Sequence, residues 1–221
     1  MNKIKLISFV AAVLLLSLGS VQPASAFIFG SSSLNPGDVV LTLDGNTSLG
    51  ATDSGWYYWT GYHNPDNTNY MVDDDPYGPH NWFLFDISTF TIPVTFSSAT
   101  LTLYSYDVSG WEDYKLFDVT TSLDLLQAGT GGVAAFNDLG SGDVYGQRWY
   151  STDDTGKYRT ITLTSAFLFD FNTAIENHLR NPNDPLFNEF AIGGRIPEPA
   201  TLGLFGIGLL GFAASRRRKA A

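Results

Sequence analysis

Residues 99–108 read ATLTLYSYDV, with Ala99, Leu101, Leu103 and Ser105 alternating against Thr100, Thr102, Tyr104 and Tyr106. A period of two puts every leucine on one side of an extended chain, whereas a helix would scatter them. The segment is therefore expected to be a strand with its leucine face toward a core. Shorter runs of the same kind recur: DVVLTL (38–43), GWYYWTGY (55–62), NWFLFDI (81–87), YKLFDVT (114–120), VYGQRWYS (144–151), RTITLTS (159–165) and NEFAIGG (188–194). Gly, Asn, Asp, Pro and Ser separate them, which is turn chemistry. Two stretches read as helices. Residues 120–129 have a Thr or Ser cap, three leucines and a closing Gly, and residues 164–181 have apolar residues at partly helical spacing with Arg180 near the end. The expectation is an all-β fold: an antiparallel β-sandwich of jelly-roll type, with one or two short helices as crossovers or edge covers.

The two ends of the chain differ from this middle. Lys3 and Lys5 precede an apolar run from Leu6 to Leu18, and Ala24-Ser25-Ala26 supplies small residues at the right spacing for a signal peptidase. Residues 1–26 are thus expected to be a cleaved signal peptide, with an uncleaved anchor as the alternative. Residues 27–196 form the expected extracytoplasmic domain, long enough for one sizeable core.

That body holds six basic residues against 21 acidic ones, a net of about −15. Such a surface repels nucleic acid and anionic lipid, so nucleic acid is excluded as its partner. There is no cysteine, which rules out disulfides, thiol catalysis and cysteine-held metals. The core must hold the domain, and 16 Phe, 11 Tyr and 5 Trp supply ample apolar material.

At the other end, residues 200–214 carry no charge. As a helix they would span roughly 22 Å, short of a hydrocarbon core of about 30 Å but coverable by thinning and arginine snorkelling. A single transmembrane helix is expected at about 200–215. Arg216, Arg217, Arg218 and Lys219 follow and orient it with the basic end in the cytoplasm. Gly203, Gly206, Gly208 and Gly211 weaken the helix. Pro197 and Pro199 hold the preceding backbone extended. The physics suggests a transient anchor beside a cleavage site.

Pro197-Glu198-Pro199, a short Gly-rich apolar segment and a terminal Arg cluster resemble the PEP-CTERM sorting signal. The resemblance covers 197–221. It implies processing by an exosortase, with the membrane as a transient partner and delivery to the cell surface or extracellular matrix of a Gram-negative bacterium. A second stretch, residues 116–157, resembles a segment found in many PEP-CTERM proteins; its Gly129, Gly131, Gly132, Gly140, Gly142 and Gly146 are expected to supply positive φ between strands.

Within the body, chemistry is sparse. His63, His80 and His178 are few and scattered for a zinc site. No nucleophile elbow occurs, and no carboxylate pair stands out among so many acids. No catalytic residue and no obligatory cofactor are expected. The loop at 64–80 offers Asp66, Asp73, Asp74 and Asp75 as hard oxygen ligands for a structural calcium, with a solvated acidic turn as the alternative. It is not an EF-hand, because Tyr77 and Leu84 fall where ligands are needed. Trp56, Tyr57, Trp59 and Tyr62 could present a carbohydrate-stacking face, or pack into the core. The expected role is structural or adhesive, in exopolysaccharide or biofilm matrix, with sugar binding as its candidate activity. A secreted polysaccharide hydrolase is the alternative, and a permanently anchored sensor a weaker one.

Overall fold

The computed structural model describes residues 27–29, 32–75 and 77–197. The expected signal peptide and transmembrane helix lie outside these residues, as do Glu198, Pro199 and Arg216–Arg218. Among the described residues no helix is long and apolar enough to cross a membrane.

The strands are β1 (Phe27–Ile28), β2 (Val39–Leu43), β3 (Thr47–Gly50), β4 (Asp53–Tyr57), β5 (Val72–Asp73), β6 (His80–Asp86), β7 (Ala99–Ser105), β8 (Glu112–Phe117), β9 (Val144–Tyr150), β10 (Lys157–Thr162) and β11 (Glu189–Arg195). Helices α1 (Leu123–Gln127) and α2 (Gly132–Asp138) lie between β8 and β9, and α3 (Ser165–Arg180) between β10 and β11. All pairings between these strands are antiparallel, in three sheets: β10-β7-β2-β3, β4-β6-β11-β8-β9 and the small pair β1-β5. From β6 onward the chain changes sheet at β6–β7, β7–β8, β9–β10 and β10–β11.

One hydrophobic cluster draws from both large sheets. Leu41, Leu101, Leu103 and Ile161 come from the four-stranded sheet; Phe83, Phe85, Leu116, Tyr145 and Ile192 come from the five-stranded one. The leucine face of β7 is buried as its alternation requires, while Thr100, Thr102 and Tyr104 lie on the other face. On that outer face Thr102 meets Thr160 at 3.0 Å, a polar cross-strand pair.

Strand β6 is buried on both sides. Phe83 and Phe85 enter the main core; Trp82 and Leu84 join a second cluster with Tyr57, Ala191, Leu126, Ala135, Phe136 and Leu139. Helices α1 and α2 thus cover the far side of the five-stranded sheet, adding a layer. Phe167, Phe171 and Ile175 of α3 point into the main core. Thr164 caps α3, its hydroxyl accepting the Phe167 N–H at 3.5 Å.

Several expectations need correction. The strand expected over 55–62 stops at Tyr57, because the chain reverses: the Tyr58 N–H donates to the Tyr62 carbonyl at 2.9 Å and Gly61 adopts φ +80°. The third helix has 16 residues, so the helical part is not confined to short pieces. Ser122 occupies the N-cap of α1 without a capping hydrogen bond. Of the six glycines in the 129–146 stretch, Gly129, Gly132 and Gly142 have positive φ. Gly146 instead lies in β9, where a Cβ would stand 2.9 Å from Ile161 Cγ2, so close approach to β10 is what demands glycine there.

Candidate functional site

The aromatic run that follows β4 divides sharply. Trp56 is buried and its Nε1 donates to Asn69 Oδ1. Tyr57 is fully buried, its hydroxyl meeting the carbonyls of Leu126 at 2.8 Å and Leu125 at 3.0 Å. These two carry structure: they tie β4 to the Asn69 loop and to α1. The reversal at Tyr58–Tyr62 then pushes Trp59 and Tyr62 to the surface, 49% and 56% exposed. It is pressed against α2, since a Cβ on Gly61 would lie 2.4 Å from the Val133 nitrogen.

Trp59 is not alone there. Tyr77, from the acidic loop, lies with its ring centroid 5.1 Å from that of Trp59 at an interplanar angle of 59°. Tyr77 is 61% exposed. The structure therefore assembles an exposed Trp–Tyr pair from two loops that are 18 positions apart. Exposed rings of this size offer apolar faces and a polar tip, the chemistry that meets the C–H face and hydroxyls of a sugar. Sequence reasoning placed Trp59 and Tyr62 in the candidate set, included the two buried rings, and missed Tyr77. The signal for Tyr77 was its place in a turn-rich, acidic loop, where an aromatic side chain has little core to enter.

The acidic loop is organised by its own backbone. Asp73 accepts from the Asp75 N–H at 2.9 Å, and Asp75 from the Tyr77 N–H at 2.8 Å, a succession of Asx turns. Asp66 is exposed, and Asp74 is buried. No group of three or more His, Asp or Glu side chains is arranged to hold a metal among the described residues.

These acids acquire a partner that lies far from them in the chain. Glu112, at the start of β8, is 7% exposed. Burial, then the negative charges of Asp74 and Asp73, push its carboxyl up to about 7. Asp73 is raised as well, chiefly by burial. Like charges held together out of water favour the protonated form.

The histidines serve packing. His63 Nδ1 lies 2.8 Å from the Trp56 carbonyl, so it donates, and the ring stacks on Tyr57 at 4.9 Å. His80 Nδ1 donates to the Phe136 carbonyl at 2.7 Å, and the ring stacks on Phe136 at 4.0 Å. Burial lowers both, His80 to about 4, with the positive charge of Arg195 adding to its shift. Both are neutral imidazoles at neutral pH. His178 is buried in α3.

Pro197 is the last described residue, two positions beyond the end of β11. Residues 195–218 match the PEP-CTERM protein-sorting motif. The motif marks the chain for export, exosortase processing and sorting to the cell surface. No curated protein and no solved structure matches the chain.

Proposed function

We propose that the folded body is a structural or adhesive component of the extracellular matrix that the sorting motif delivers, and that it acts by binding polysaccharide without chemistry on it. We read its two large sheets, joined by one core, as a β-sandwich of jelly-roll type, a scaffold that presents loops at its ends. The supporting observation is the Trp59–Tyr77 pair, exposed and in contact, in a chain that also carries a sorting motif. Large exposed aromatics rimmed by polar groups mark interaction sites. Trp59→Ala is expected to fold normally and to lose roughly tenfold in retention on the producer's own polysaccharide. Unchanged retention would sink the sugar-binding reading.

One observation favours a second reading, a secreted polysaccharide hydrolase. Glu112 has the raised carboxyl of a general acid and two carboxylates near it. Incubation with matrix polymer separates the two: an enzyme releases reducing sugar, whereas a binding domain only cosediments. The sorting itself is tested by intact mass of the protein from its native host. A surface species beginning at Phe27 and ending near Pro197–Pro199 is expected; a membrane species retaining Arg216–Lys219 would mean a permanent anchor.

A further inference from the structure

The domain has few cations, and almost all are spoken for. Among the described residues Arg148 and Arg159 reach Asp154, Arg180 reaches Glu176 and Lys115 reaches Asp113. Lys157 donates to the Asp153 carbonyl at 2.6 Å. Arg195 differs. In a body with more than three acids for every base, its guanidinium has neither a carboxylate nor a hydrogen-bond acceptor among the described residues, and its Nε is shut off from water. Its guanidinium lies over the Phe117 ring, 5.8 Å from the ring centre. A guanidinium presents five donors in a planar fork suited to a carboxylate, and a buried donor with no acceptor calls for an explanation.

The surroundings supply one. Arg195 lines a cleft of about 350 Å³ together with His80, Asp75, Asn137 and Ser141, a size that fits a single small ligand. Gly140 closes the floor: a Cβ there would lie 2.6 Å from both Arg195 Cδ and His80 Cε1, so any larger residue would displace the two side chains. Asp75 shares the cleft, yet no ion pair joins it to the arginine among the described residues, and its Oδ1 accepts the Tyr77 N–H. Because His80 Nδ1 donates to the Phe136 carbonyl, its Nε2 is an acceptor. The cleft thus combines a fork for a carboxylate with acceptors for hydroxyl groups.

We propose that this cleft binds a hydroxylated carboxylate of the uronic-acid class, with Arg195 holding the carboxylate. In naming an acidic sugar it rests on the matrix reading above. A carboxylate of the same chemistry lies three positions on in the chain, that of Glu198, and it is the competing source.

The test is calorimetric titration of the full chain in neutral detergent at ~150 mM salt, with sodium glucuronate as probe and glucose as neutral control. Saturable binding of glucuronate in the millimolar range, absent for glucose and weakened roughly tenfold or more by Arg195→Gln, is expected. Ser141→Asp, which sets a carboxylate in the cleft from an exposed position, should also remove binding and covers the case in which Arg195→Gln folds poorly. If glucuronate binds only once Glu198→Gln is introduced, and still depends on Arg195, the site is a carboxylate site filled by the chain's own sorting segment. If neither the native chain nor Glu198→Gln shows Arg195-dependent binding up to ~50 mM, the assignment is overturned. A chain that still cosediments with polysaccharide through Trp59 while ignoring glucuronate would overturn this cleft alone and leave the matrix reading standing.

Discussion

Glu112 and Gly194 show how single positions set the limits of this fold. Glu112 has its carboxyl pushed up to about 7 by burial and by Asp74 and Asp73. The folded state therefore holds a proton there that the unfolded chain releases above its ordinary value of 4.5. The stabilising contribution is full below pH ~4.5 and is lost as pH rises toward ~7. Glu112→Gln removes the charge and is expected to raise the melting temperature at pH 8 by ~2–4 °C, about 1 kcal/mol once solvent screening is allowed for, with no gain at pH 4. A gain of equal size at both values would show that repulsion is not its origin. Gly194 lies in β11 where a Cβ would stand 2.1 Å from the Tyr114 hydroxyl and 2.5 Å from Asn81 Oδ1. Those two atoms are hydrogen bonded at 2.8 Å, and Asn81 Nδ2 donates in turn to the Tyr70 carbonyl at 2.8 Å. All three residues are buried. Gly194→Ala is expected to cost about 3 kcal/mol by overpacking and by breaking this chain of bonds, lowering the melting temperature by ~6–12 °C.

Among the elements, α1 is the most dependent on its neighbours. Five residues cannot form a stable helix in water, and its N-cap Ser122 makes no capping bond. Leu126 in the second cluster and the Tyr57 hydroxyl on the Leu125 and Leu126 carbonyls hold it in place. Tyr57→Phe is expected to lose about 1 kcal/mol and to speed amide exchange in α1 ahead of the sheets; uniform acceleration throughout would mean that α1 does not open by itself. The contrast with β7 explains what could be read in the sequence. Strand β7 has one buried face and a strict period, so its location and its orientation were both legible. Helix α2 was not: its start, Gly131 and Gly132, looks like a turn, and only packing of Ala135 and Phe136 against Trp82 and Leu84 makes it helical. Strand β3 was missed because TSLG has one apolar residue. The available signal was Asp44-Gly45, both at positive φ, a hairpin turn. Trp59 was legible as a candidate; its partner Tyr77 was not, since nothing local says that two loops will meet.

For the whole molecule, the excess of acid decides how it behaves in solution. The full chain carries a net charge of −10 and its body about −15, an excess that repels itself when unscreened. The melting temperature is expected to rise between ~10 and ~150 mM NaCl, as the screening length shrinks from ~30 to ~8 Å. A fall would mean that the ion pairs around Asp154 outweigh the repulsion. The charge of the body, residues 27–196, predicts that it gives DNA and anionic vesicles no attractive surface.

The position of β11 has a consequence for the order of events in export. This strand is the middle one of five, paired with β6 on one side and β8 on the other, and it directly precedes the tail that the sorting motif occupies. An exported chain threads across the membrane from its amino end, so β4-β6 and β8-β9 arrive as two unjoined halves. The keystone comes last, immediately ahead of the residues that carry the sorting motif. Closure of the domain and arrival of the sorting motif then follow one another closely, and a domain that fails to close leaves the backbone edges of β6 and β8 open to quality-control proteases. Once the domain is closed, a pull along the segment that follows Arg195 loads β11 lengthwise against two neighbours at once, a shear rather than a peel, so the strand that leads into the sorting motif resists being drawn out of its sheet.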